Sequence, residues 1–219
     1  MTECTHSCLD CGIVACRGRK EDQYPPFCPT ASLDPALLEE AMAQYQDAEQ
    51  RKIAYTSACI EGEFYGRLTR VEETIEFIRR MGYKKIGIAS CIGLLKETSI
   101  FCRILKACGM EYYAVGCKIG AVDKSELDVP DTNKLNGGCA HESMCNPILQ
   151  AKVLAAQKTD FNILIGLCVG HDTLFLKHTE APATVMIVKD RVLGHNPVAA
   201  LYTATGSYSR FKKELNITK

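Results

Sequence analysis

The sequence lacks tryptophan, carries no net charge and has no long apolar run. Basic and acidic residues balance at 26 each, without a block of like charges, and the pI is near 6.9. A nucleic-acid groove or an anionic membrane surface needs concentrated Lys and Arg, so both partners are excluded. No stretch has the length needed to cross a bilayer, and Met1-Thr2-Glu3-Cys4 does not open a basic segment followed by a hydrophobic one. The expected location is therefore the cytoplasm. Internal repeats and low-complexity segments are also missing. What is present is a globular composition, 47% hydrophobic and 24% charged over 219 residues, enough for one domain with a small appendage. It comes with 13 cysteines. An odd number of cysteines in a chain this long, with no export signal, reads as thiolate ligands rather than disulfides, some of them being simply small buried hydrophobes.

Composition divides the chain into three. Residues 1–31 are poor in large aliphatics and rich in Cys, Gly, Pro and charge, so they need a cross-link to fold, which bound metal supplies. Residues 32–82 read as helical. Asp34 caps a helix with Pro35 at its first position, and one or two helices run to about Glu63. Thr69 and Glu72 form a capping box opening a further helix with Ile75, Phe77, Ile78 and Met81 as its apolar positions and Gly82 at its end. These helices are expected to cover a sheet. Residues 83–219 show four short apolar runs, at 84–89, 111–115, 162–167 and 184–188, separated by helical segments at 94–108 and 147–158. The fold class is α/β: a four-stranded, mostly parallel, Rossmann-like sheet with flanking helices, of unknown strand order. Lys118 to Met144 shows little regular pattern and reads as a candidate lid.

Cys8, Cys11, Cys16 and Cys28 form C-x2-C-x4-C-x11-C followed by proline, and Cys4 lies close enough to replace one of them. Such a set closes a tetrahedral zinc site or holds an iron–sulfur cluster. With Cys4 the run also reads C-x3-C-x2-C, the spacing of radical enzymes that use S-adenosylmethionine, although those carry it in a barrel loop and this run precedes any strand. A second set is placed by the fold. Cys91, Cys117 and Cys168 each fall at or just beyond the C-terminal end of an expected strand, where open α/β sheets form their ligand crevice. Cys145 precedes Asn146-Pro147 at a helix start, which favours a thiolate or an anionic cluster. Each of the four alone is equally a packing residue; their shared topological position argues for a site.

Polar residues accompany them. His171 follows Cys168 and reads as a ligand, a proton donor or a helix-start residue, with a supporting role beside the cofactor favoured. Lys118 follows Cys117, and Lys189-Asp190-Arg191 follows the last strand, so cations flank the crevice to bind an anionic substrate or to offset cluster charge. His171, Lys118 and Arg191 are the candidate substrate contacts. His195-Asn196-Pro197 reads as a cap for a C-terminal helix. His6, His141 and His178 read as surface residues, Cys59, Cys102 and Cys108 as core, and Cys139 as a spare or redox-active thiol.

The segments GIASCIGL, GCKIGAV, MCNPILQA, GLCVGHDTLF and KDRVLGHNPVAALY, with the N-terminal cysteine run, resemble an uncharacterised family of cysteine-rich, metal-binding proteins of bacteria and archaea, many of them anaerobic. The resemblance spans nearly the whole chain. It matches at Cys8, Cys11, Cys16 and Cys28, and again at Cys91, Cys117, Cys145, Cys168, His171, Lys189, Asp190, Arg191 and His195. It implies metal binding and leaves the reaction open.

The leading expectation is an iron–sulfur protein with two 4Fe–4S clusters. One is held by Cys8, Cys11, Cys16 and Cys28 for electron entry. The other is held by Cys91, Cys117, Cys145 and Cys168 for redox or sulfur chemistry, with an electron donor or acceptor protein or a small anionic substrate as partner. An alternative is a zinc-binding module, with zinc at the N-terminal site, that senses, stores or delivers metal without turnover. A third is a cysteine hydrolase or transferase with Cys168 or Cys145 as nucleophile and His171 as base.

Overall fold

The computed structural model describes residues 7–135, 137, 141–204 and 206–207. Cys4, His6 and Cys139 lie outside the described residues. Two compact units divide the chain, one ending at Cys59 and the other beginning at Ile60.

The first unit opens with three short 3-10 helices, Cys8–Asp10, Ala15–Gly18 and Glu21–Gln23. Val14 and Arg19, on either side of the second, take left-handed backbone at φ +51° and +52°. Turns this short bury little, and Ala15 and Cys28 are the buried residues described ahead of α1 (Pro35–Gln44). That helix starts as its sequence dictates: Asp34 Oδ1 accepts the Ala36 N–H at 2.9 Å, and Pro35, which has no N–H to leave unpaired, takes the first position. After the turn at 45–47, Asp47 Oδ1 accepts the Gln50 N–H at 2.9 Å in the first turn of α2 (Ala48–Phe64).

In the second unit α3 (Arg70–Met81) carries the expected capping box, with the Thr69 N–H donating to Glu72 Oε2 at 2.7 Å, and ends at Gly82 with φ +77°. The strands are β1 (Lys85–Ser90), β2 (Glu111–Gly116), β3 (Phe161–Ile165) and β4 (Ala183–Ile187). All pair in parallel, in the order β2-β1-β3-β4. Between them lie α4 (Leu95–Ala107), α5 (Pro147–Ala156) and α6 (His171–His178). Ile75 and Ile78 of α3 and Phe101 and Leu105 of α4 pack on Ile86, Ile88, Ile163 and Ile165, forming one core layer. Ala151 and Leu154 of α5 and Phe175 of α6 form the other with Ala89, Val115 and Leu164. Successive strand residues point to opposite faces, so β1 and β3 are apolar on both sides. Gly87 of β1 is required by close approach: a Cβ there would lie 2.0 Å from Oδ1 of Asn162, a buried amide on the neighbouring strand. The order is that of flavodoxin-type doubly wound sheets, whose ligand crevice opens between β1 and β3 beyond their C-terminal ends.

Three features add to or differ from the sequence reading. Helix α6 begins at His171, one of the three readings of that residue, although HDTLFLKH contributes one buried residue, Phe175, and so shows no apolar stripe to mark its extent. The stretch from Lys118 to Met144 is not patternless where it is described: 3-10 turns at Lys124–Leu127 and Asp131–Asn133 and a bridge from Asp123 to Ser143 organise it. His195, at φ +66°, accepts the Asp190 N–H on Nδ1 at 3.1 Å and closes the turn after β4. It does not cap α7 (Val198–Tyr202), which has no side-chain cap. Among the described residues no helix is long and apolar enough to cross a membrane.

Candidate functional site

Two strand ends and one helix start bring three cysteines together. The Cys91 N–H donates to Ile165 O at 3.0 Å, extending the ladder one residue past β1. Its side chain then turns back, and Sγ accepts the Gly93 N–H at 3.4 Å at the head of the 3-10 turn leading into α4. Cys117 follows β2 and is 2% exposed; its Sγ accepts the Ile92 N–H at 3.5 Å. The Asn146 N–H donates to Cys117 O at 2.8 Å, which seats the start of α5 on the end of β2. Cys145 Sγ thereby comes to rest 3.7 Å from Cys117 Sγ in a hydrogen bond between residues 28 apart in the chain. Asn146 and Pro147 start α5 as expected, Asn146 Oδ1 accepting the Leu149 N–H at 3.0 Å.

The surroundings act on the two thiols of this pair in opposite senses. The hydrogen bond from Cys117, another from His171 and the positive charge of Lys118 outweigh partial burial and bring the Cys145 pKa down to about 4. Cys117 is pushed strongly up by its bond to Cys145 and by burial. These opposite shifts favour ionisation of Cys145 over Cys117. Lys118 is tethered where it can act on that charge, its Nζ donating to Ser143 O at 2.6 Å.

Cys168 is engaged differently. Its carbonyl accepts the His171 and Asp172 N–H groups at 2.9 and 3.1 Å, so the turn that carries Cys168 also sets His171 at the start of α6. Its sulfur takes the Arg191 guanidinium at 2.8 Å. In the N-terminal set Cys8 and Cys16 are exposed, Cys11 is half-buried and Cys28 is buried. The Cys28 thiol is held below its usual range by N–H groups of Ala31 and Thr30, against the opposing effect of burial. Among the described residues no three His, Cys, Asp or Glu side chains form a group that could hold a metal ion, so neither set of four sulfurs is gathered. Of the three cysteines read as core, Cys102 is buried within the α4 layer, where burial raises its thiol pKa, with Cys108 packed beside it, and Cys59 is half-buried.

Sequence reasoning missed Gln150. It is fully buried on α5, and its Nε2 donates to Ser90 O at 3.2 Å and to Val115 O at 2.7 Å, stapling β1 to β2 just before Cys91 and Cys117. Its Oε1 has no partner among the described residues. The available signal was a lone amide at helical spacing among the buried Pro147, Ala151 and Leu154.

Fold and site together define a doubly wound α/β protein with cysteines at its strand ends. The chain belongs to the family described as protein of unknown function DUF1847, which matches residues 28–186. That span includes Cys28 and the four strand-end cysteines; Cys8, Cys11, Cys16, Lys189 and Arg191 fall outside it. An uncharacterised protein of Methanocaldococcus jannaschii is 49% identical over 167 residues, covering 76% of this chain and 84% of that protein.

Proposed function

We propose that the protein carries out thiol redox or sulfur chemistry at the strand-end crevice, with Cys145 as the reacting thiolate and Cys117 as its partner thiol. The observation that carries this reading is the 3.7 Å contact between the two sulfurs, Cys117 buried and Cys145 half-buried. With a disulfide substrate, Cys145 attacks one sulfur and the other half of the substrate leaves as a thiolate. Cys117 then passes its proton to the leaving group and attacks the Cys145 sulfur, releasing the second half as a thiolate that takes its proton from water. A Cys117–Cys145 disulfide remains and two electrons have passed to the substrate. The sulfurs must close from 3.7 Å to about 2.05 Å, a short side-chain movement. His171 and Lys118 keep Cys145 ionised, so no separate base is needed to activate it.

A second reading is a thiolate-bound metal centre, iron–sulfur or zinc, serving electron transfer or metal delivery. It is favoured by the same distance, because two thiolates on one tetrahedral ion with bonds near 2.3 Å stand about 3.8 Å apart. The donor chemistry of the two sulfurs fits a thiophilic ion, and Cys117 and Cys91 already accept backbone N–H bonds of the kind that support ligand sulfurs. The spacing fits one ion better than a 4Fe–4S cluster, whose cysteines bind separate irons.

One experiment separates the two: metal and acid-labile sulfide analysis of protein purified without oxygen, with peptide mapping after mild oxidation. The thiol reading expects a Cys117–Cys145 disulfide and no stoichiometric metal removed by Cys145→Ser. Stoichiometric iron or zinc that Cys145→Ser abolishes would replace it with the second reading.

A further inference from the structure

A cavity of about 340 Å³ opens on the α3 and α4 side of the sheet, at the C-terminal ends of β3 and β4. Its lining includes Ile165 and Ile187, the last residues of those strands, which pack with the α3 and α4 layer, whereas Cys117 and Cys145 pack with the layer on the other face. The buried Phe101 and Ile165 and the half-buried Met186 and Ile187 make its walls apolar. Ile100 and Ile104, one turn apart on α4, also line it and are left 44% and 37% exposed. Three polar residues complete the lining: Thr69, Arg70 and Glu97. The Thr69 hydroxyl is committed to the capping box, where it bonds Glu72 Oε2 at 2.7 Å. Arg70 is fixed by neutral partners, Nε donating to Val185 O at 2.9 Å and Nη2 to Thr184 Oγ1 at 3.0 Å. Arg70 and Glu97, the latter in the first turn of α4, are both exposed, and neither has an ion-pair partner among the described residues.

We propose that this cavity binds a free α-amino acid with a large apolar side chain. The side chain lies against Ile100, Ile104 and Ile165, the carboxylate meets Arg70 and the ammonium meets Glu97. Desolvation selects this class of ligand. Any apolar body seated in the cavity removes water from both rim charges, and a charge deprived of water is costly unless a partner replaces it. A neutral ligand leaves two such costs and a singly charged one leaves one, whereas a zwitterion with an apolar side chain leaves neither. The volume lies at the small end of ligand sites, which suits a single amino acid better than a peptide or a nucleotide.

The test follows the isoleucine δ1-methyl NMR signals of the full chain during titration with L-leucine, L-methionine and L-phenylalanine. Two analogues of leucine accompany them: 3-methylbutylamine, which lacks the carboxylate, and 4-methylpentanoate, which lacks the ammonium. At least one of the amino acids should move the signals of Ile100, Ile104, Ile165 and Ile187, while glycine, with the same charges and no side chain, should not. Each leucine analogue should bind about tenfold more weakly than leucine, the effect of one charge-assisted contact. Arg70→Gln should bring leucine and 3-methylbutylamine to equal affinity, and Glu97→Gln should do the same for leucine and 4-methylpentanoate. Both residues are exposed, so the methyl signals of the ligand-free variants should keep their positions, and the comparison of analogues in the wild type needs no variant at all. Signals unmoved by all three amino acids at millimolar concentration overturn the site. Equal affinity of leucine and both analogues in the wild type overturns zwitterion recognition, as does a preference that survives the substitution meant to abolish it.

Discussion

A thiolate at acidic pH gives a sharp test of the Cys117–Cys145 pair. Cys145 titrates at about 4, so at pH 5 roughly nine-tenths of it is ionised, whereas an ordinary thiol with pKa about 8.5 is ionised to about 0.03%. Population alone therefore favours Cys145 by about three thousandfold. Low basicity opposes this: a Brønsted slope of about 0.45 over about 4.5 pKa units makes each thiolate roughly a hundredfold less nucleophilic. The net expectation is that Cys145 outruns a small-molecule thiol by about thirtyfold at pH 5, equals it near pH 6.5, and loses by about twentyfold at pH 8.

The assay is competitive iodoacetamide labelling of the whole protein against such a thiol across that pH range, read by peptide mass spectrometry. The rate at Cys145 should be nearly flat above pH 5 and fall as pH drops through about 4, the direction required of a depressed pKa. In Cys117→Ala the largest lowering influence is lost, so the inflection should move up toward the ordinary thiol range; His171→Ala should move it in the same direction by less. An inflection near 8.5 in the wild type would refute the placement of the proton. Protection from label that disappears on metal removal would point to the metal centre instead.

Replacing Gly87 with Ala drives a methyl group into the buried Asn162 amide, and urea titration should show a loss of about 1–3 kcal/mol or more. Gln150→Leu removes the donor from two strand-end carbonyls while also removing an unpartnered oxygen, so its cost should stay near 1–2 kcal/mol by the same measurement. Asp123 binds the Ser125 and Glu142 N–H groups, Lys134 at 3.4 Å and His141 at 3.2 Å, which hold its carboxyl well below the usual range. This contribution is present above the ordinary carboxylate pKa of about 3.9 and is lost only as pH falls below it, so limited proteolysis of the 118–144 stretch should rise in acid, and at neutral pH in Asp123→Asn.

Much of the frame is legible in sequence because it is local. The Thr69 box, the Asp34-Pro35 and Asn146-Pro147 starts and the four apolar runs are set by neighbours a few residues away, and the elements appear within a residue or two of expectation. Strand order is not local, nor is the need for Gly87, whose partner Asn162 lies on a strand formed much later in the chain. Placing cysteines at strand ends was likewise readable from the ends of the apolar runs. Which sulfurs meet depends on side-chain direction: Cys117 and Cys145 pair because the Cys117 carbonyl receives the Asn146 N–H, while the Cys168 sulfur is taken by Arg191. The extent of helix α6 was not legible because its burial rests on a single phenylalanine.

The charges at the crevice bear on what it is built to hold. A Cys117–Cys145 pair retaining one proton carries one negative charge, which Lys118 offsets, while Arg191 donates to the Cys168 sulfur. If both thiols of the pair instead gave up their protons to a divalent ion, the ion would cancel their charge and leave Lys118 unmatched. Full ligation by four thiolates would restore balance only by drawing the Cys168 sulfur away from Arg191, which would free that cation in turn.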